Sequence, residues 1–127
     1  MQNIKKNKLF KYKIKNLELF GYHGLYSNEI ENGQIFVINI DYCIYLDNDN
    51  IRTDKIDNLV DYTDVLKQVE KIFNDKRYNL LESLIEEMHK QLSKIYKFKK
   101  LDITILKKIS GLSNLKLDGM EVGIKSE

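Results

Sequence analysis

The stretch QIFVINIDYCIYL, residues 34–46, decides the fold. In an extended chain successive side chains point to opposite faces. Ile35, Val37 and Cys43 then lie on one face, and Phe36, Ile38, Ile40, Ile44 and Leu46 on the other. Both faces are partly apolar. That marks a strand central to a sheet or packed at an assembly interface.

Upstream, Tyr12 and Ile14 alternate with lysines, and Leu17 and Leu19 continue on the opposite phase. The pattern predicts a strand from Tyr12 to Phe20 with a bulge near Lys15–Asn16. Gly21 to Gly33 is glycine-rich and polar, which predicts a loop. Downstream, the polar run from Asp47 to Asn58 reads as another loop, with Asp54 and Asp57 as turn residues. Val65, Val69, Ile72 and Phe73 then recur at helical spacing, with Asp61 placed to cap the helix. After a connection over Asn74–Asn79, Leu81, Leu84, Ile85, Met88, Leu92 and Ile95 form the apolar stripe of a second helix. Asn79 and Glu82 have the spacing of a capping box at its start.

Leu101, Ile103 and Ile105 predict a third strand, Lys107 to Lys116 a turn, and Met120, Val122 and Ile124 a fourth strand. The order is β-β-α-α-β-β. Its simplest packing is an α+β domain, a four-stranded antiparallel sheet with both helices on one face. The outer strands are open edges, which edge-to-edge pairing between copies would close.

At 127 residues the chain fits one domain. Residues 12–127 are that domain, and residues 1–11, rich in Lys and Asn, read as a flexible basic arm without the apolar segment of a signal peptide. The core of such a domain leaves little room for a deep private cavity. A net charge of +2 gives no reason to invoke nucleic acid. No apolar run approaches the roughly 18 residues of a membrane span. The single Cys43 cannot form an internal disulfide and reads as a buried thiol in a reducing compartment, the cytoplasm. With one Cys and two His, a metal site is not expected.

Residues suited to chemistry cluster at element ends and in loops, where function concentrates. They are Gly21-Tyr22-His23-Gly24 with Glu29 and Gly33-Gln34; Val60-Asp61-Tyr62; Leu80-Leu81-Glu82; and Lys107-Lys108. Arg52-Thr53-Asp54 and Asn79 add to the pattern. In this order, on this frame, the chain from about Ile14 to Ile124 resembles dihydroneopterin aldolase. The resemblance implies the tunnelling fold, in which strands of several copies close a barrel ring. It also implies a homo-octamer of two stacked tetramers, with sites between subunits. The partners expected are a small pterin substrate and other copies of the chain, with no nucleic acid, membrane or cofactor.

The implied reaction belongs to folate (tetrahydrofolate) biosynthesis. 7,8-Dihydroneopterin is cleaved to 6-hydroxymethyl-7,8-dihydropterin and glycolaldehyde by this carbon–carbon lyase. A base takes the 2′-hydroxyl proton, the C1′–C2′ bond breaks, and its electrons enter a dihydropterin ring made receptive by protonation at N5. An acid then protonates C1′. The pterin is its own electron sink, so acid–base groups and positioning suffice. By resemblance, the carboxylate of Glu82 grips the paired donors of the pterin ring, and the Leu81 backbone adds a contact. Lys107 acts on the 2′-hydroxyl through water, a role that partial burial of a lysine favours. Glu29 stands beside that lysine and the substrate side chain. Tyr62, from the adjacent subunit, donates or shuttles a proton, with Val60 and Asp61 flanking the ring.

Each assignment has a plainer counterpart. Glu82 doubles as the capping-box partner of Asn79. His23, between two glycines, serves equally as a loop residue and is given no catalytic role. His89, beside an apolar stripe, is expected to be structural. Tyr62 can simply pack its ring, and a lysine is ordinarily a solvated charge. The family often carries prolines after this lysine, but this chain has none. Lys107 and Lys108 are then both candidates, and the alternation Leu101-x-Ile103-x-Ile105 points to Lys107. Two other activities stay open. One is 2′-epimerisation of dihydroneopterin or its triphosphate, an activity that can also accompany cleavage. The other is a non-catalytic pterin- or purine-binding ring, which would keep Glu82 and drop the acid–base set.

Overall fold

The structure, a computed structural model, describes residues 7–55, 60–108 and 114–126. Outside the described residues lie residues 1–6 of the expected arm, residues 56–59 of the 47–58 loop with Asp57, and residues 109–113 of the expected turn. The elements are β1 (Asn7–Gly21), α1 (Ser27–Asn32), β2 (Gln34–Asp47), α2 (Asn48–Thr53), α3 (Tyr62–Asp75), α4 (Leu81–Ile95), β3 (Lys100–Lys107) and β4 (Met120–Ile124). The strands form one antiparallel sheet in the order β1-β2-β3-β4.

The even-numbered side chains of β2 explain the layering. Phe36, Ile38, Ile40, Tyr42 and Ile44 are buried against α3 and α4. Val65, Val69 and Phe73 of α3 and Leu84, Met88 and Leu92 of α4 meet them, and Leu101, Ile103 and Ile105 of β3 extend the same core. The opposite face of the sheet packs against neither α3 nor α4. There Leu9 faces Tyr45 and Phe20 faces Ile35 across the β1–β2 pair, all four exposed.

The phase change in β1 is a bulge. Pairing runs to Ile14 opposite Ile40 and resumes with Leu17 opposite Ile38. Asn16 takes a left-handed φ of 56°, a conformation that asparagine tolerates, and its backbone N–H donates to Asn39 Oδ1 at 2.8 Å. The extra residue turns Leu17 and Leu19 back to the core face.

Four local expectations are corrected. β1 begins at Asn7 rather than Tyr12, because β2 runs on to Asp47 and Asn7–Lys11 supply the partners for its last residues. The Gly21–Gly33 loop contains α1, and the 47–58 loop contains α2. Each has six residues, too few for an apolar stripe to register. The capping box at α4 does not form. Leu80 is the N-cap without a side-chain bond, and Asn79 Oδ1 instead accepts from Arg77. The cap on α3 is as expected, with Asp61 Oδ1 accepting from Thr63 N at 2.9 Å. Among the described residues no helix is long and apolar enough to cross a membrane.

Candidate active site

The alternation that buries Leu101, Ile103 and Ile105 continues one step further and turns Lys107 to the same side. Lys108 falls on the next position and is exposed. Lys107 lies opposite Phe36, near the start of β2, and α1 enters that strand through Gly33. The register therefore brings Lys107 to Glu29 of α1. Its Nζ stands 2.9 Å from Glu29 Oε2. That oxygen also accepts from Gln34 Nε2 at 2.9 Å, and Oε1 accepts from Tyr26 N at 3.1 Å.

Glu29 is 8% exposed. Burial alone would raise its pKa, but the hydrogen bonds from Lys107, Tyr26 N and Gln34 outweigh burial and hold the carboxyl below its ordinary range. The Lys107 ammonium also lies 5.8 Å from the ring centroid of Tyr26, within range of a cation–π contact. The result is an oriented carboxylate–ammonium pair beside an exposed aromatic ring.

Gly24 makes the carboxylate's position possible. Its φ is +139°, and a Cβ there would come within 2.5 Å of Glu29 Oε1. His23 is buried and structural. Its Nδ1 accepts from Tyr78 N and its Nε2 donates to the Phe73 carbonyl, each at 3.0 Å. Burial lowers its pKa, favouring the neutral ring this pairing needs. His89 is tied down as well, its Nε2 donating to the Leu101 carbonyl at 2.9 Å.

Leu81 and Glu82 begin α4 at this same end of the molecule, next to the Arg77–Asn79 turn that meets the Gly24 loop. Leu81 is buried in the core. Glu82 is exposed and has no hydrogen-bond or ion-pair partner among the described residues. With the capping box absent, its carboxylate is free for a ligand.

Val60, Asp61 and Tyr62 are elsewhere. Val60 and Asp61 line an open groove of about 670 Å³ beside Ile44, Tyr45, Asp64 and Tyr96. Tyr62, 61% exposed, lines another with Tyr12 and Tyr42. Tyr42 and the Lys107-paired Phe36 are about 20 Å apart along β2, at roughly 3.4 Å per residue. Within one chain the candidate residues thus fall into two groups at opposite ends of the sheet.

Gly24 and Gln34 belong to the motifs singled out in the sequence but carry no assigned role there, and Tyr26 and Arg77 are not singled out at all, though all four frame the Glu29 end. Gln34 had a usable signal, since it opens a strand whose neighbour register ends on Lys107. Arg77 had none. Among the described residues no cluster of His, Cys, Asp and Glu is arranged to hold a metal.

Comparison with known proteins bears on this geometry. The dihydroneopterin aldolase family model matches residues 12–125. A dihydroneopterin aldolase from Staphylococcus epidermidis is 31% identical over 83 residues, spanning 65% of this chain and 68% of that protein. Dihydroneopterin aldolase 1 from Arabidopsis thaliana is 26% identical over 112 residues, 87% of this chain and 76% of the relative. The fold resembles that of the E. coli dihydroneopterin aldolase solved in complex with neopterin. The TM-score is 0.74 at 18% identity, covering 91% of this chain and 98% of the other.

Proposed function

The chain belongs to the dihydroneopterin aldolase family, and on that premise we propose that it performs the retro-aldol cleavage of 7,8-dihydroneopterin at a site shared between two subunits. One observation carries the proposal. Glu29, Lys107 and the free carboxylate of Glu82 gather at one end of the chain, while Val60, Asp61 and Tyr62 sit at the other. Only a second copy supplies both half-sites at one place. The sheet face opposite α3 and α4 and the open edges of β1 and β4 offer surfaces for that assembly, which we take to be an octamer of two tetrameric rings.

In this scheme Glu82 holds the pterin ring, with Leu81 setting its depth through the backbone. Glu29, fixed by Tyr26 N and Gln34, aims the Lys107 nitrogen at the substrate side chain. The dihydropterin is protonated at N5, and Lys107 Nζ, having given up its own proton, takes the 2′-hydroxyl proton through a water. The C1′–C2′ bonding electrons move into the pterin, and glycolaldehyde departs. Tyr62 of the neighbouring subunit delivers a proton to C1′ and regains one from Lys107 through water, and N5 releases its added proton, so protons balance over the cycle. Val60 and Asp61 of that neighbour flank the ring. Cys43, buried and free, is consistent with a reducing cytoplasm.

Incubation with 7,8-dihydroneopterin tests the proposal. Release of glycolaldehyde in step with 6-hydroxymethyl-7,8-dihydropterin is expected. Conversion to the 2′-epimer without glycolaldehyde would make the chain an epimerase. Tight pterin binding with neither product would make it a binding ring.

A further inference from the structure

Arg77 is exposed, yet its guanidinium is held by three neighbours. Its guanidinium donates to the Tyr22 carbonyl at 3.2 Å, to the Gly24 carbonyl at 2.7 Å and to Asn79 Oδ1. No carboxylate pairs with it among the described residues. Its donors all go to neutral oxygens in two segments. One is the Gly21–Gly24 loop, and the other is the turn that opens α4.

Those segments frame the two parts of the half-site. Gly24 lies against the Glu29 carboxylate, and Asn79 precedes Leu81 and Glu82. The two parts are anchored differently. α4 is fixed by buried Leu81 and Leu84. After Gly24 the loop exposes Leu25 and Tyr26, and its attachment there is polar. It rests on Arg77, on the Gly24 N–H to Tyr78 carbonyl bond of 3.0 Å, and on His23.

We propose that Arg77 is a positioning residue, a latch that sets the Glu29–Lys107 pair at its working distance from the pterin held by Glu82. The proposal rests on the aldolase scheme above. A planar fork of fixed donors can hold both loop carbonyls and Asn79 at once, which a lysine's single ammonium cannot reproduce. Losing the latch lets the loop, and Glu29 with it, drift from the ring, while α4 keeps Glu82 in place. A misplacement near 1 Å costs up to about a hundredfold in rate. Pterin binding should therefore survive where turnover does not.

The test measures kcat and neopterin affinity for Arg77→Ala and Arg77→Lys beside the parent protein. A kcat reduced roughly ten- to a hundredfold in both is expected, with neopterin Kd changed by less than about threefold. Added guanidinium at non-denaturing concentration should restore part of the Arg77→Ala rate and none of the Lys107→Ala rate. Parent-like kcat in Arg77→Lys would overturn the proposal, since charge alone would then suffice. So would a parallel loss of kcat, affinity and thermal stability, which marks a merely structural arginine. If Arg77→Ala does not fold, Arg77→Lys decides by the same criteria. A parent protein that releases no glycolaldehyde defeats the aldolase scheme itself. An active parent with unaffected Arg77 variants defeats only the latch.

Discussion

At the scale of single residues, the chemistry turns on which lysine meets Glu29. The period-two alternation of β3 leaves both lysines as candidates but points to Lys107, which shares the phase of Leu101, Ile103 and Ile105, and it is Lys107 that pairs with Glu29. Its partner Glu29 is reached only through the family resemblance, because no residue pattern announces the short helix that carries it. Replacing Lys107 by Ala should cut kcat by roughly 10² to 10⁴, whereas Lys108→Ala should stay within about twofold, as expected of an exposed site with no partner at stake. Steady-state assays on the two variants check this. Glu29 also links stability to pH. Its folded pKa is lowered from 4.5, so the stability it confers is complete above that value. It is lost as pH falls below 4.5 through the folded pKa. Glu29→Gln should flatten that acid limb in urea unfolding curves recorded across the range.

At the scale of elements, the Gly21–Gly24 loop and the connector after α3 act as one joint. Gly24→Ala would force a strained φ and push a methyl into the Glu29 carboxylate. About 1–3 kcal/mol of lost stability is expected, together with a fall in turnover, both measurable on one purified variant. His23 adds a second pH dependence. Its pKa is lowered from 6.5, so the joint is fully stabilised above 6.5 and loosens as pH falls from there toward the folded pKa. Much of this level was legible in the sequence. The change of phase in β1 located the bulge to within a residue, and the apolar stripes of α3 and α4 fixed both long helices. The six-residue helices were not legible, because too few residues are involved for periodicity to show. The capping box failed for a local reason. The helix takes Leu80 as its N-cap, and the Asn79 side chain instead accepts from Arg77, two residues before it.

At the scale of the whole molecule, one chain holds the two groups of candidate residues at opposite ends of its sheet, and the proposed site needs both. The long antiparallel strands separate Glu29, Lys107 and Glu82 from Val60, Asp61 and Tyr62, and leave open edges and exposed Leu9, Phe20, Ile35 and Tyr45 where other copies can join. The sequence named both sets of residues. Their separation became visible only with the strand register, which fixes distances that motif order does not. The most direct test co-assembles two variants that are each inactive, Tyr62→Ala and Lys107→Ala, by refolding or co-expression at equal amounts. In the proposed arrangement each shared site draws Lys107 from one copy and Tyr62 from its neighbour. Random mixing should then restore about a quarter of the parent activity. Mixtures as inactive as the separate variants, or a monomer with full turnover, would contradict the shared site.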